Sequence, residues 1–567
     1  METTLNVKAR DRWAVLILLA AFSLFGVFDH SLWSANDTRE GAMIAEMVRS
    51  GAWTLPHLNG VPYLEKPPLL HWTGAVLCRM FGAINEGLVR LPAALYGFGS
   101  LLLIWQFGRA LGRERAGLIA ALLCATTQLM ADYSRIVLTD TALTFTVLLA
   151  LWLFWRAYTA TTGRKVRFVV FLAVAAGSFY AKGLIGPGFI WVSVGLFLLW
   201  QRAWRLLFGL PLLFLPIFAL ELAPWVAALW REGGAEYLVG VFWDNQFGRF
   251  LSFSDPTLPR DPYFVHKEPF YYYLKSAPLR LLPWTLLVGA ALVGWFRRGS
   301  AYRGELAVFL RLALVAMIVV LHVSAAKTSC YVLPLLPLLL LMTGVWLEDA
   351  LQPGGARKWE RVLLAGTTGA LVVLLLLVLF VLIAANLLHW TWGAHDYSPG
   401  MWPARYCLVM ALLALSLTVV FLLRWVRFWR AGAFQQMAWH GLMMLITLLV
   451  VDVGAVLPVL GYAKSYRPVA QLVLERVGTQ GRLGFASDDE RDTGAFVFYL
   501  GRTIDPLPVN RRLVTYLFSG RRPAGIIVPA DKLAWARKIF AGQAVDFLQT
   551  RQTGYKARAY WLIVPTR

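Results

Sequence analysis

The apolar runs decide what this chain can fold into. Stretches made almost entirely of Leu, Val, Ala, Phe and Trp recur at roughly 13–29, 88–108, 114–131, 138–155, 168–181, 184–200, 206–230, 274–296, 305–325, 329–347, 362–387, 403–423 and 440–461. About twenty such residues in a helix cross ~30 Å of hydrocarbon. In lipid every backbone polar group needs an internal partner, which only helices and closed barrels supply. The sequence therefore predicts a polytopic α-helical membrane protein with about 13 transmembrane helices. A hydrophobic share of 58% and a mean hydropathy of +0.59 agree with that class.

The net charge of +22 is distributed as a membrane protein requires. With Lys8, Arg10 and Arg12 on the cytoplasmic side, the turns on that side collect Arg109/Arg113/Arg115, Arg156/Arg164/Lys165/Arg167, Arg202/Arg205, Arg297/Arg298/Arg303, Arg357/Lys358/Arg361 and Arg424/Arg427/Arg430. That is the positive-inside pattern, so the charge is topogenic and no nucleic-acid partner is read from it. The other face is expected to be the periplasm, with the chain in a bacterial inner membrane. The first span leads into charged sequence and not into a small-residue cleavage site, so no cleavable signal is expected. Cys78, Cys124, Cys330 and Cys407 lie in or beside apolar segments without CxxC spacing, which suits small packing residues.

Two domains are expected: a transmembrane module over 1–462 and a periplasmic α/β domain over 463–567. The first outer loop, 30–87, holds an amphipathic helix over 39–49 and an apolar stretch over 69–82 that lies in the interface. The second, 231–273, is crowded with aromatics, from Tyr237 and Phe242 to Tyr271, Tyr272 and Tyr273, with Arg249, Arg260, His266 and Lys267 among them. An interfacial aromatic belt and the wall of a lipid or sugar site both fit. From about 463 the pattern shortens to strands at Arg482–Ala486, Ala495–Leu500, Gly525–Val528 and Ala559–Val564, with helices near 467–477 and 531–540. This tail carries seventeen Lys/Arg against eight Asp/Glu, which suits either anionic lipid head groups or a solvated surface.

Polar chemistry gathers at the outer face. Asp37, just past the first span, and Asp140, opening the fourth, fall at one depth with Arg39, Lys66 and Arg135. Such a cluster can bind phosphate and handle a proton or a developing cation. An ion-paired helix end, or Asp140 as an N-cap, fits as well. Lys66 sits in Glu65-Lys66-Pro67-Pro68, where the prolines stiffen an extended backbone. Lys327-Thr328-Ser329-Cys330-Tyr331 brings a second cation and a phenol to the outer mouth of two spans.

The segments Asp37-Thr38-Arg39, Pro56-His57-Leu58-Asn59-Gly60 and Tyr63-Leu64-Glu65-Lys66-Pro67-Pro68 resemble the bacterial 4-amino-4-deoxy-L-arabinose lipid A transferases. These stand with the protein O-mannosyltransferases among membrane glycosyltransferases of the GT-C fold. The likeness continues through Asp140, His266 with Pro269-Phe270-Tyr271-Tyr272, and Lys327 to Tyr331. The family writes Asp-Glu-x-Arg-Tyr where this chain has Asn36-Asp37-Thr38-Arg39-Glu40, so register by Arg39 puts Asn36 at the first acid and Asp37 at the second.

The resemblance implies inverting transfer of a sugar from undecaprenyl phosphate to lipid A or another envelope acceptor. Asp37 would serve as general base, or as an orienting group if the acceptor is itself a phosphate, with Asp140 in support. Lys66, Arg39, Tyr331, Lys327 and Arg249 would bind the donor phosphate. Tyr63, His57, Tyr271 and Tyr272 would line the substrate. Glu65 and His266 could share a zinc ion, though no cofactor is required. Grooves between spans would hold the prenyl tail among membrane lipids, each buried CH₂ contributing ~0.8 kcal/mol. Two other readings remain: a protein O-mannosyltransferase-like enzyme acting on proteins or other glycans, and a polyprenyl-lipid transporter. A transporter needs ionisable groups deep in its spans, where Glu221 is one of few here.

Overall fold

The computed structural model describes residues 9–248, 268–297, 302–324, 327–352, 355, 357–387, 390–392, 395–397, 404–508, 510, 512–519, 523–550, 553–554 and 558–566. Among these, eight helices are long and apolar enough to cross a membrane, or nine if the pair Tyr272–Arg280 and Thr285–Phe296, bent by 117°, is one span. The thirteen segments anticipated are all largely helical, but several are short or broken. Glu114–Ala125 stops at Thr126 and resumes as Gln128–Tyr133. Arg164–Gly177 and Ile185–Trp200 are joined through the one-turn helix Phe179–Lys182. The span before the tail, Phe434–Val451, widens into a π-helical turn at Asp452–Val456.

The buried core joins Glu86–Ala110, Glu114–Ala125, Thr139–Tyr158 and Leu336–Ala350. Trp204–Leu238 stands apart: its apolar window is only 11% buried, and Leu212, Leu213, Leu215 and Leu220 are exposed. A helix that is apolar all round and uncovered by protein needs lipid as its solvent. The protein is a multi-pass membrane protein.

The first outer loop is built on the helix Ala35–Ser50, which begins four residues before the amphipathic pattern suggested. Ser34 caps it by accepting from the Asp37 amide at 3.3 Å, and Gly51 closes it in the left-handed conformation at φ 74°. Its residues Ala42, Met43, Ile44 and Ala45 are fully buried. The apolar stretch after Pro68 is the helix Leu69–Phe81, whose 13 residues are too few to cross. Between the two lies a hairpin pairing His57 with Pro62 and Leu58 with Val61. Asn59 (φ 59°) and Gly60 (φ 77°) form its turn, where the Asn-Gly pair supplies two positive φ angles at low cost.

The tail forms a five-stranded sheet in the order Asp505–Pro506, Arg482–Phe485, Ala524–Pro529, Tyr560–Pro565, Val545–Gln549. The first three strands are parallel and the last two antiparallel to their neighbours. One expectation is corrected: Ala495–Leu500 is not a strand but the end of the helix Glu490–Leu500, capped by Asp489 and closed by Gly501 at φ 72°. Periodicity cannot tell a continuous apolar run in a strand from one in a helix buried on both sides. Here one side faces the tail's own core, through Phe496 against Phe485 and Tyr560, and the other faces Ala35–Ser50.

That helix docks the tail onto the first loop. A Cβ on Gly494 would lie 2.8 Å from Arg39 Cα, so the backbones touch. The Leu32 amide donates to the Tyr499 hydroxyl at 2.8 Å, and Arg467 donates to Glu86 Oε1 at 2.6 and 3.0 Å. Asn59 bonds the Ile504 backbone both ways, donating to its carbonyl and accepting from its amide at 2.7 Å each. Asn59→Ala removes both bonds and is expected to destabilise the folded protein by roughly 1–3 kcal/mol. The readouts are a lower Tm in detergent and faster proteolysis of the tail; an unchanged Tm would show that docking does not depend on this contact.

Candidate active site

Three groups of charged side chains meet where the first loop rests on the helical core. The deepest is an ion pair between Asp37 and Arg90, 1% and 0% exposed. Arg90 Nη2 donates to Asp37 Oδ2 at 2.5 Å, its Nε reaches the same oxygen at 3.1 Å, and its remaining donors take the His30 and Ser31 carbonyls at 2.7 and 2.9 Å. Asp37 Oδ1 accepts from the Val137 amide at 2.9 Å. Every nitrogen of this buried guanidinium is engaged and both carboxylate oxygens are in use, as suits a charge pair out of water. Asp37 thereby fixes the 137–140 segment that leads into Asp140.

The second group surrounds Glu40. Its side chain is fully buried and receives three donors: Lys66 Nζ and Arg39 Nη2 (3.2 Å) on Oε1, and His71 Nε2–H on Oε2 (2.9 Å). Burial alone would raise this carboxyl, but Lys66, His71 and Arg39 hold it well below the usual carboxylate range. Burial pulls the Lys66 ammonium below its ordinary value, with Glu40 opposing. Arg39 lies over the Tyr63 ring at 5.4 Å and reaches Glu490 of the tail at 3.4 Å. Tyr63 and Glu65 are electrostatic neighbours of Arg39.

The third group is Asp140, Lys182 and Tyr331. Lys182 Nζ donates to Asp140 Oδ1 at 2.6 Å and sits over the Tyr331 ring at 4.1 Å. Asp140 lies in the first turn of Thr139–Tyr158 and does not cap it; the cap position is Leu138. Cys330, beside Tyr331, interacts electrostatically with Asp140, Lys182 and Lys66, so the second and third groups adjoin at the turn Ser329–Leu335. Tyr273, next to Tyr272, is coupled to Tyr331 and Cys330 from the other side.

The remaining anticipated residues divide. His57 accepts no part in these clusters: its Nδ1 bonds the Leu55 carbonyl at 3.1 Å in the hairpin. Lys327 is buried and donates to the Ser324 carbonyl at 2.5 Å within its own turn. Tyr271 is 51% exposed and packs edge-on against Phe270. Arg249 and His266 lie outside the described residues. Among the described residues no group of three or more His, Cys, Asp or Glu could hold a metal, and Glu65 alone gives zinc no ligand set.

Arg90, Glu40, His71 and Lys182 were not anticipated. Arg90 is an ionisable residue inside an apolar segment, itself a signal of function, while Lys182 stands at the break between two short apolar segments. Glu40 ended a motif whose family residue is Tyr. Removing one member of the Asp37–Arg90 pair leaves the other charged and buried, so Arg90→Ala is expected to cost about 3–5 kcal/mol. Thermal unfolding in detergent checks this, and Arg90→Lys, which cannot make the forked contact, should recover little of it.

Comparison with known proteins agrees with the resemblance seen in the motifs. Residues 65–230 match the family model described as dolichyl-phosphate-mannose-protein mannosyltransferase. The undecaprenyl phosphate-alpha-4-amino-4-deoxy-L-arabinose arabinosyl transferase of Pseudomonas aeruginosa (strain UCBPP-PA14) is 32% identical over 347 residues, which is 59% of this chain and 60% of that protein. The Edwardsiella ictaluri (strain 93-146) protein of the same description is 28% identical over 397 residues, 69% of this chain and 68% of its own. The chain thus matches about three-fifths of the length of the first of these relatives. The crystal structure of ArnT from Cupriavidus metallidurans bound to undecaprenyl phosphate superposes with a TM-score of 0.72, covering 98% of both chains at 18% identity. The fold is the GT-C fold of that protein.

Proposed function

We propose that this chain is an integral membrane glycosyltransferase that moves a sugar, of the 4-amino-4-deoxy-L-arabinose type, from undecaprenyl phosphate to lipid A or another envelope acceptor at the periplasmic face. The observation that carries the reading is the convergence of Lys66, Arg39, Lys182 and Tyr331 on one polar site beside the membrane core. The relatives' names supply the donor class and its sugar.

In inverting transfer the bond between the anomeric carbon and the phosphate oxygen breaks, and its electron pair goes to the phosphate. The acceptor oxygen forms the new bond on the opposite face and gives up a proton if it is a hydroxyl. The leaving phosphate gains a charge as the bond breaks, so cations aimed at it act on the transition state more than on the bound donor. Lys66 and Lys182 take that role, with the Tyr331 ring packed against the Lys182 ammonium. Asp140, beside Lys182, is the carboxylate assigned to the acceptor side. Asp37, whose oxygens are held by Arg90 and Val137, is assigned to positioning the 137–140 segment. No nucleotide is involved, because the sugar–phosphate bond supplies the free energy.

A second reading has one observation in its favour: the matching family model is named for transfer of mannose to protein. Mass spectrometry of lipid A from cells with and without the gene separates the two. A pentosamine-sized increment that needs the gene supports lipid A as acceptor, while unchanged lipid A with glycosylated envelope proteins moves the assignment to a protein acceptor. Lys66→Ala is expected to lower kcat/KM by about 10²–10³-fold, the usual loss when a preorganised charge-stabilising donor is removed.

A further inference from the structure

The cations that would meet a phosphate are already neutralised. Lys66 and Arg39 share Glu40, Arg39 also reaches Glu490, and Lys182 holds Asp140. Glu40 is the centre of this arrangement: it is fully buried, no acceptor but its carboxylate faces Lys66 within hydrogen-bond reach among the described contacts, and His71, also 0% exposed, fixes its second oxygen. A phosphate reaching Lys66 must share that ammonium with the carboxylate, at short range and in a medium of low dielectric. The ordinary alternative is a fixed ion pair that only holds the loop together.

We infer that Glu40 is an exchangeable internal counter-ion, a positioning residue that acts through Lys66 to set the balance between bound donor and bound product. This rests on the glycosyl transfer proposed above. The donor is a phosphodiester with one negative charge. The product is a phosphomonoester with up to two. A carboxylate beside Lys66 repels the product more than the donor, and so favours product release. It also offers Lys66 a partner to return to once the phosphate leaves, so the lysine is never left buried and unpaired. Tyr, which the resembling family writes at this position, would supply neither effect.

The test uses the full-length protein in detergent and three probes: undecaprenyl phosphate, its methyl phosphodiester and undecaprenol. Wild type is expected to bind both phosphates more tightly than the alcohol. Glu40→Gln and Glu40→Tyr are expected to shift preference toward the monoester by about tenfold or more, whereas Glu40→Asp, which keeps the charge, should retain the wild-type ratio. In turnover with the sugar-bearing donor, the neutral variants should show a lower kcat and stronger product inhibition without a matching rise in KM. A merely structural role would weaken all phosphate binding together. An unchanged monoester-to-diester ratio, an equal shift in Glu40→Asp, or loss of fold in both neutral variants would each overturn the inference. Wild type that binds phosphate no better than alcohol would instead overturn the donor assignment on which it rests.

Discussion

The Asp37–Arg90 pair is the contact on which the outer half of the molecule depends. Arg90 belongs to the long helix Glu86–Ala110, Asp37 to the loop helix, and the groups they also bind belong to the chain at 30–31 and to Val137. Four segments are therefore referred to one ion pair. Such a pair is costly to bury and weak as a source of net stability, but it is specific: few other arrangements engage every guanidinium nitrogen and both oxygens. In a membrane protein, where apolar helices slide past one another with little penalty, that specificity decides where a loop sits. The 137–140 segment then delivers Asp140 to Lys182, and the loop helix delivers Arg39 and Glu40 to Lys66.

A consequence is that the polar site contains matched charges and not a bare cationic patch. Asp37 faces Arg90, Glu40 faces Lys66, and Asp140 faces Lys182. An unpaired ammonium half out of water would shift its ionisation and lose its charge. Pairing offsets that penalty at each cation. In the proposed function the phosphodiester enters by exchange, so binding selects for a ligand that offers more than a carboxylate does: a charged group joined to a prenyl tail that lipid-facing grooves hold.

The membrane class and the order of segments were legible because length and hydropathy are local properties. The Asn59-Gly60 turn was there to be read but was not, although two consecutive positive φ angles restrict composition strongly. What sequence could not reveal was pairing at a distance. Asp37 and Arg90 are 53 residues apart, Lys182 and Asp140 42, Lys66 and Glu40 26. Asp37 was visible in the sequence as a carboxylate, while its link to Arg90 was not. The helix Glu490–Leu500 was misread for a related reason: its hydrophobic run is continuous because two different bodies cover it, and a one-dimensional pattern does not record how many neighbours an apolar residue has.

That helix also changes what the tail domain means. A domain that follows the last membrane span can be expected to move on a linker, yet this one presses Gly494 against the Arg39 backbone and sets Glu490 against its guanidinium. Arg39 is thus bonded to two carboxylates from different parts of the chain, Glu40 and Glu490, and lies over the Tyr63 ring. Glu490 is the more exposed of the two, with 45% of its side chain open against none for Glu40, so solvent screens it and it is the partner more readily given up. In the proposed function, an anion at Arg39 therefore displaces Glu490 before Glu40. The docking bonds through Asn59, Tyr499 and Arg467 keep the tail in place while it does so, which makes the domain a second wall of the site and not a separate module.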